Sequence, residues 1–438
     1  MKFFRFFLFS FLAGAALAAQ ALELPKKQFS VEGVTEYRLE NGLRILTVPD
    51  PSASTVTVHL TYFVGSRHEG YGEKGMAHLL EHMLFKGSPR WPVLKHEFTR
   101  RGARFNGTTS ADRTTYFETL PAGEDNLAWA LDMEADRMTR AFVQKGHLEV
   151  EMPVVRNEFE MGENSPSGVL HERMLRMAFP FHNYGNPVIG VRADIEGVPI
   201  ERLQAFYRTW YQPDNAQLIL GGRFDEARAL ELVAKFFGPL PRPQRALPKL
   251  YTLEAAQDGE RAVMLRRAGD VQLVAAMYKV PSAGHPDYPA IDVLAHVFGN
   301  VPAGRLHRAL VQKGLASSAF GHERMMHDPG YAYFGATLGK EASLEAAREA
   351  LLNTLEGPGR APITDEEVER ARTAHVNSME KAQLEAPALV RWLSEFAAMG
   401  DWRLFFLYRD RLRKVTTADV QRVVDTYLKP ANRVLGMF

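Results

Sequence analysis

Two histidines and a glutamate lie within five consecutive residues of this 438-residue chain and are of the types that hold a catalytic metal ion. They belong to the run Gly75-Met-Ala-His-Leu-Leu-Glu-His-Met-Leu-Phe85. Residues four apart lie on one face of an α-helix, so His78 and His82 can present their imidazoles to a single ion, with Glu81 beside them. The order His-x-x-Glu-His is an inverted zinc-hydrolase motif.

A third ligand is expected elsewhere, because a catalytic zinc site usually has three protein ligands and an open position for water. Pro153 is tolerated best in the first turn of a helix, which predicts a helix that starts near Glu151. Glu151 and Glu158 then share one face of this helix, whereas Glu160 lies roughly opposite Glu158. We expect Glu158 to be the ligand and Glu151 to orient His82 or Glu158 through a hydrogen bond.

The alternative to a metal site is a partly buried polar patch on an amphipathic helix. For Glu158 taken alone, a solvated position on the helix surface is the simpler interpretation. The complete five-residue motif, together with a resemblance to a known family, favours the metal site.

The motif, followed by Glu158 and its companion Glu151, resembles the pitrilysin/insulinase family of inverted zinc metallopeptidases. Further matches are Arg104-Phe-Asn-Gly-Thr-Thr-Ser110, Thr115-Tyr116, Val188-Ile-Gly190, the run from Phe206 to Asn215, and Leu218-Ile-Leu-Gly-Gly222. The resemblance covers nearly the whole chain after its first residues. It implies a zinc-dependent endopeptidase that cleaves peptides enclosed in a chamber.

The resemblance also implies a role for each residue of the motif. His78, His82 and Glu158 correspond to the ligands of one Zn²⁺ ion per chain, and Glu81 corresponds to the general base. In that role Glu81 takes a proton from the metal-activated water and later protonates the leaving amine of the scissile peptide bond.

A substrate-binding strand is expected close to this motif. Residues 103–109 and 113–120 alternate around a polar turn, as paired strands do. By resemblance, Phe105, Asn106 and Gly107 form the edge strand to which a peptide substrate adds as an extra strand, with Asn106 binding its backbone. From the sequence alone, an Asn-Gly turn between two strands is an equal alternative.

The first residues predict export. Lys2 and Arg5 precede an apolar run over residues 6–12 and a small-residue stretch, which together form a signal peptide spanning residues 1–21, with an uncleaved anchor as the lesser alternative. The chain has no cysteine, so it has neither disulfides nor thiolate ligands. We expect a periplasmic protein with no stable membrane insertion after cleavage, because no later stretch has the 20 or so apolar residues of a span.

The length of the chain suits two domains. Residues 239–250 are rich in proline and predict a linker between an N-terminal catalytic zinc domain, residues 22–238, and a C-terminal domain, residues 251–438, without a metal motif. The chain has 53 basic and 52 acidic residues and a net charge of +1, which argues against a nucleic-acid partner.

The two domains are expected to share one fold. Strands are predicted at residues 35–39, 43–48 and 55–63 before the motif helix, and near residues 262–266 and 271–280 before a helix that starts at about residue 287. The motif then falls on Asp292-Val-Leu-Ala-His296, which makes His296 a core histidine rather than a second ligand. We predict an α+β fold of two similar α/β sandwiches with mostly antiparallel sheets, like that of the processing peptidases.

One departure from the family pattern concerns catalysis. Active members carry an arginine and a tyrosine in the second domain, and here Val311 and Ser317 stand at those positions. Valine cannot donate a hydrogen bond, and losing such donors costs about a hundredfold in rate. Arg308, Tyr331 or Tyr333 are possible substitutes, although no spacing argument favours them.

This departure leads us to prefer a split arrangement. Some heterodimeric family members hold the zinc motif in one subunit and the arginine and tyrosine in a homologous partner. We expect the same here, with a peptide substrate enclosed between the two subunits. The alternatives are a non-catalytic peptide-binding or envelope assembly protein, and a processing peptidase for one dedicated precursor. His182, His322 and His327 lie in apparent loops and are expected at the surface.

Overall fold

The computed structural model describes residues 23–357 and 359–438, and the expected signal peptide lies outside these residues. The strands are β1 Lys26–Val31, β2 Val34–Arg38, β3 Arg44–Pro49, β4 Thr55–Tyr62, β5 Arg104–Thr109, β6 Thr114–Pro121, β7 Ala216–Gly222, β8 Arg261–Met264, β9 Val271–Val280, β10 Ser318–Glu323, β11 Gly330–Gly339 and β12 Arg433–Met437.

The α-helices are α1 Met76–Met83, α2 Leu94–Arg100, α3 Glu124–Arg140, α4 Lys145–Glu163, α5 Pro166–Ala178, α6 Arg192–Gly197, α7 Ile200–Trp210, α8 Glu226–Phe237, α9 Tyr288–Gly299, α10 Leu344–Leu355, α11 Asp365–Gln383, α12 Ala386–Ala398, α13 Leu404–Leu412 and α14 Thr417–Tyr427. Short helical turns occur at Ser66–His68, Leu84–Lys86, Asn183–Gly185, His307–Val311, Pro213–Asn215 and Pro430–Asn432.

Two sheets with the same topology organise the chain. The first has the order β1-β2-β3-β7-β4-β6-β5, and the second, written from its other edge, has the order β8-β12-β9-β11-β10. The five strands from β3 to β5 match the second sheet one for one, including the single parallel pair, β3 with β7 and β8 with β12. The predicted α+β fold of two similar halves is confirmed.

One helix from the first half covers the second sheet. Helix α5 packs on β8, β9 and β12, and its Leu170 and Met174 share an apolar cluster with Leu273 and Met277 of β9. A Cβ atom at Gly436 of β12 would lie only 2.2 Å from the Sδ atom of Met174. Glycine at this position therefore allows the helix to approach the sheet closely.

The second half also contributes a helix that covers the sheet of the first half. Helix α12 packs on β4 and β7 of the first sheet, where a Cβ atom at Gly221 would lie 2.4 Å from Cγ2 of Val390. Ser394 of this helix forms hydrogen bonds with His59, at 3.0 Å, and Thr61, at 2.8 Å, both buried in β4. The two halves are thus interlocked. The domain boundaries stay a prediction, although no helix or strand occurs between residues 238 and 260.

A buried polar network also joins the halves. Arg67, near the start of the first half, places Nη1 2.6 Å from Asp328 of the β10–β11 hairpin and Nε 3.0 Å from Asp112. The hydroxyl of Tyr184 donates to Asp112 at 2.8 Å and accepts from the backbone N–H of Asp328 at 3.0 Å. Each charge in the network therefore has an opposite charge or a hydrogen-bond donor beside it, as burial requires.

The three histidines expected in surface loops have different environments. His182 is buried and places Nε2 3.1 Å from Asp328, so its surface assignment is wrong. His322 is exposed but belongs to strand β10, whereas His327 is exposed in a loop as expected and lies 3.0 Å from the carboxylate of Asp328. The partner of His182 is distant in the sequence, so its burial has no local signal.

None of the helices within residues 23–357 and 359–438 is both long enough and apolar enough to cross a bilayer.

The close approach of α12 to the first sheet gives a test of the interlocked fold. We expect Gly221→Ala to lower the free energy of unfolding by about 2 kcal/mol, because the added methyl overpacks against Val390. Combined with Val390→Ala, the loss should be smaller than the sum of the two single losses by about 1 kcal/mol. Urea unfolding measures all three variants. Gly339→Ala, at an open position of β11, is the control, and strictly additive losses at Gly221 and Val390 would contradict the contact.

Candidate metal centre

The start of helix α1 is held by a buried carboxylate. Glu69 accepts hydrogen bonds from the backbone N–H groups of Gly75, at 2.8 Å, and Ala77, at 2.9 Å. These donors have no partner inside the helix, and a negative charge is favourable at this end. Burial raises the pKa of Glu69 to about 8, although the two N–H groups act in the opposite direction.

Two glycines let a neighbouring loop pack against this helix start. Gly75 and Gly190 both have positive φ angles, +97° and +91°. A Cβ atom at Gly190 would lie 2.3 Å from the carbonyl oxygen of Lys74 and 2.4 Å from Cα of Gly75. The Val188-Ile-Gly190 run therefore supports α1 through close backbone packing.

The three expected ligands lie together. Nε2 of His78 and Nε2 of His82 are 3.3 Å apart, and Oε2 of Glu158 is 3.4 Å from His82 and 3.7 Å from His78. Zinc bonds of about 2.0 to 2.2 Å at tetrahedral angles require ligand atoms to be separated by about 3.3 to 3.5 Å. The side chains present therefore fit a zinc ion. They form the one His, Asp or Glu group that could hold a metal among the residues that the structure describes.

Glu151 fixes the orientation of His82. Its Oε1 atom lies 2.8 Å from Nδ1 of His82, so Nδ1 carries the proton and Nε2 keeps its lone pair for a metal. Glu151 also pairs with Lys86. Burial alone would raise the pKa of Glu151, but the hydrogen bonds from Lys86 and His82 outweigh it and the pKa is lowered.

His78 is kept neutral by its surroundings. Burial, followed by the proximity of His82, lowers the pKa of His78 to about 4, which leaves an unprotonated nitrogen at neutral pH. Its Nδ1 atom is buried and has no hydrogen-bond partner within the described chain. His78 thus lacks an orienting carboxylate like that of His82.

Helix α4 differs from the expectation at its start. It begins at Lys145 rather than near Glu151, so Pro153 lies inside the helix and that boundary prediction is wrong. The proline removes one backbone hydrogen bond, and the burial of Leu148 and Val155 on the inner face holds the helix together on both sides of it. Glu151 and Glu158 nevertheless share one face of α4, as expected, and both side chains contact histidines of α1.

Glu81 is buried beside the ligands. Its Oε2 atom accepts a hydrogen bond of 2.6 Å from the hydroxyl of Thr109, at the end of β5. Burial raises the pKa of Glu81, and the Thr109 hydrogen bond acts against that rise. A Cβ atom at Gly107 would lie 2.9 Å from Oε1 of Glu81, so glycine makes room for the carboxylate.

Thr109 is a residue that the sequence reasoning missed. Alternation along β5 puts Gly107 and Thr109 on one face of the sheet, which was readable from the sequence. That this face meets α1 depends on how the helix packs on the sheet, and no local pattern shows it.

The expected substrate strand is β5, which forms one edge of the first sheet. Asn106 and Gly107 lie within this strand, opposite Phe117 and Tyr116 of β6, so the alternative of an Asn-Gly turn is wrong. Asn106 is exposed. The ring of Phe105 stacks on Phe98 at 3.8 Å, which makes its side chain part of the core.

The positions expected for the arginine and tyrosine lie in the second half. Val311 packs against the core of that half, and the hydroxyl of Ser317 donates to the carbonyl of Thr337 at 2.9 Å. Arg308 pairs with Glu367 at 2.8 Å. These contacts are structural.

Two tyrosines of β11 were considered as substitutes. The hydroxyl of Tyr331 lies 3.0 Å from Nε2 of His171 on α5, and the ring of Tyr333 lies 4.9 Å from the His171 ring. Both tyrosines are buried, and burial raises the pKa of each above that of a free phenol.

In the second half, helix α9 occupies the position that α1 has in the first half, and its polar side chains make a different set of contacts. Asp292 accepts a hydrogen bond from Tyr408 and lies 3.4 Å from Nδ1 of His375. His296 is partly buried, with its ring centroid 5.0 Å from that of His375. Burial and His375 lower the pKa of His296. This group holds α9 to α11 and α13 by polar contacts.

Comparison with known proteins agrees with this geometry. Residues 44–192 match the model of the insulinase family, peptidase family M16, and residues 197–374 match the model described as the peptidase M16 inactive domain. The zinc protease PqqE of Helicobacter pylori is 30% identical over 428 residues, which cover 95% of this chain and 93% of that protein.

Solved structures show the same fold. The crystal structure of a protease from Helicobacter pylori has a TM-score of 0.86 and 28% identity, and the match covers 94% of this chain and 99% of that one. The first half of the periplasmic protease PqqL from Escherichia coli has a TM-score of 0.73 at 20% identity, covering 94% of this chain and 92% of that half. The match spans 48% of the complete PqqL chain.

The Glu151–His82 hydrogen bond makes a prediction about metal affinity. Glu151→Leu should weaken zinc binding by about 10- to 100-fold, because His82 loses the acceptor that fixes its tautomer. Competition with a chromophoric chelator measures the change. Glu149→Leu, at an exposed position of the same helix, is the matched control and should bind zinc as the parent chain does. Equal affinity in both variants would contradict the role of Glu151.

Proposed function

The chain belongs to the insulinase family, peptidase family M16, and on that basis we propose that it is the zinc-binding subunit of a periplasmic endopeptidase. The observation that supports this most is the grouping of His78, His82 and Glu158 at zinc-ligand separations, with the carboxylate of Glu81 beside them. A similar protein over nearly its whole length, that of Helicobacter pylori, is named a zinc protease.

The proposed chemistry assigns one task to each residue. A zinc ion held by His78, His82 and Glu158 would supply Lewis acidity, which lowers the pKa of a water molecule and polarises the scissile carbonyl. Glu81 accepts the proton of the attacking water and delivers it to the leaving amine. Thr109 holds Oε2 of Glu81, so the carboxylate keeps one orientation during both proton transfers.

Substrate is proposed to bind along β5. An edge strand has unpaired N–H and C=O groups, and an extended peptide can pair with them as a further strand. Because Thr109 and Gly107 of β5 contact Glu81, a peptide on this edge runs past the general base. Phe105, Asn106 and Gly107 would act mainly through their backbones.

A partner subunit completes the proposal. Val311 and Ser317 make structural contacts and lack the groups that the family uses against the substrate. The match to PqqL covers only half of that chain, so a homologous second subunit would correspond to the other half. We propose that this subunit brings the arginine and tyrosine to the zinc site and closes the chamber.

Replacing the general base separates catalysis from binding. Glu81→Gln should retain one zinc ion per chain and lose at least about 100-fold in peptide cleavage, because the amide cannot accept the proton. Cleavage of a quenched fluorescent peptide by the zinc-loaded protein and its co-purified partner gives the rate. Glu160→Gln, exposed on α4, is the control. An unchanged rate in Glu81→Gln would favour a non-catalytic peptide-binding protein.

The partner requirement has its own test. The zinc-saturated chain alone should cleave peptides about 100-fold more slowly than the complex, because the donors to the developing oxyanion are missing. The complex is obtained by co-purifying the tagged chain from its cell envelope, and rates are compared before and after separation of the two subunits. Equal rates for the chain alone and for the complex would rule out the split arrangement.

A further inference from the structure

A large cavity lies between the two interlocked halves, next to the metal centre. Its volume is about 800 Å³, enough for several peptide residues. Thr109, which contacts the general base, and Phe159, which follows the ligand Glu158, line one end. The remaining wall comes from α5, from the chain around Asp112 and residues 184–189 of the first half, and from the β10–β11 hairpin and α12 of the second half.

Three basic side chains meet on this wall. His171 projects from α5, His322 lies near the end of β10, and Arg324 follows that strand two residues later, on the same side of the extended chain. The His171 and His322 rings both lie against Tyr333, at centroid distances of 4.9 Å and 5.6 Å. The hydroxyl of Tyr331 adds a further polar group, 3.0 Å from His171.

The carboxylates that also line the cavity are mostly occupied elsewhere. Asp112 pairs with Arg67, Glu395 pairs with Arg113, and Glu172 pairs with Arg176. These ion pairs balance three of the negative charges, and Arg113 and Arg67 are neutralised with them.

Two further acidic residues, Glu163 and Glu323, also line the cavity. Glu323 points to the opposite face of β10, toward Asp292, and burial together with that neighbouring carboxylate raises the pKa of Glu323. Glu163 is exposed at the rim of the cavity, where its backbone carbonyl accepts from Arg267. The basic wall is therefore not neutralised by Glu323.

The histidines experience the positive field of this wall. Burial lowers the pKa of His171 to about 4, and His322 and Arg324 lower it further in the same direction. Burial and Arg324 likewise lower the pKa of His322. Arg324 is the cation that acts on both imidazoles, which is the arrangement that an anionic ligand would relieve.

We propose that His171, His322 and Arg324 form a carboxylate-binding subsite, so that this chain prefers peptides with an acidic side chain or a free C-terminal carboxylate close to the cleaved bond. The inference rests on the proposed function, because Thr109 at one end of the cavity contacts Glu81, the proposed general base. Arg324 can bind a carboxylate through two parallel N–H donors, and the imidazoles and Tyr331 can complete its hydrogen bonds.

Binding of a carboxylate should be coupled to proton uptake. A negative charge beside His171 and His322 favours their protonated forms, so their pKa values rise in the complex. Because the pKa of free His171 is about 4, affinity for an acidic peptide then increases as the pH falls from 7 to 5, whereas affinity for its neutral amide analogue does not change through this cause.

The test measures binding rather than cleavage, in the zinc-loaded Glu81→Gln protein with its co-purified partner. A fluorescent decapeptide carries a single Glu, moved position by position, and is compared with Gln and Lys analogues by anisotropy. Free and amidated C termini distinguish the two sources of carboxylate. We expect at least one Glu or free-terminus peptide to bind about tenfold more tightly than its neutral analogue, more so at pH 5 than at pH 7.

Substitutions in the cavity wall test whether its basic side chains cause the preference for a carboxylate. Arg324→Gln should reduce the tenfold ratio to about one while affinity for the neutral peptide stays the same. Arg266→Gln, exposed beyond the opposite edge of the same sheet, is the matched control and should keep the ratio. His171→Gln together with His322→Gln should remove the pH dependence of the ratio.

The results that would refute the carboxylate subsite differ from those that would refute the proposed peptidase function. Equal binding of Glu, Gln and Lys peptides, or tighter binding of the Lys peptide, would overturn the carboxylate subsite even if the parent enzyme cleaves all of them. A Glu preference that persists in Arg324→Gln would also overturn it. Conversely, a preference that depends on Arg324, in a protein whose parent chain and complex cleave no peptide, would support the subsite and refute the proposed peptidase function.

Discussion

The candidate metal centre places Nε2 of His78, Nε2 of His82 and Oε2 of Glu158 within 3.7 Å of one another, an arrangement that a cation between them would stabilise. Side chains cannot hold this geometry by themselves, so the fold must impose it. Glu69 fixes the start of α1, Glu151 fixes the ring of His82, and α4 brings Glu158 alongside. Much of the first half can be understood as the support for these three side chains.

That support extends into the second half. The β10–β11 hairpin places Asp328 against Arg67, two residues before the carboxylate that holds α1. Helix α12 packs on the first sheet directly beneath β4 and β7, while α5 packs on the second. The Arg67–Asp328 pair therefore ties the second half to the segment of chain that leads into α1.

Local patterns in the sequence were sufficient to predict part of the fold and most of the candidate metal centre. Strand alternation located β2 to β6, β8 and β9 to within two residues but did not predict β1, β7, β10, β11 or β12, and the spacing of His78 and His82 located the motif helix. The start of α4 was misplaced because Pro153 is tolerated inside a helix whose apolar face is buried on both sides of it. Thr109, His182 and the cavity wall were missed because each depends on contacts between segments distant in the sequence, which periodicity does not encode.

Duplication explains why the cavity lies where it does. The two sheets have matching strand orders, so β5 and β10 occupy equivalent edges, and the loops and hairpins at their ends face each other across the junction of the halves. Helix α9, at the position equivalent to α1, makes the polar contacts of Asp292 with Tyr408 and His375. As a result of the matching topology, Thr109 at the end of β5 and His322 of β10 line the same cavity from opposite halves.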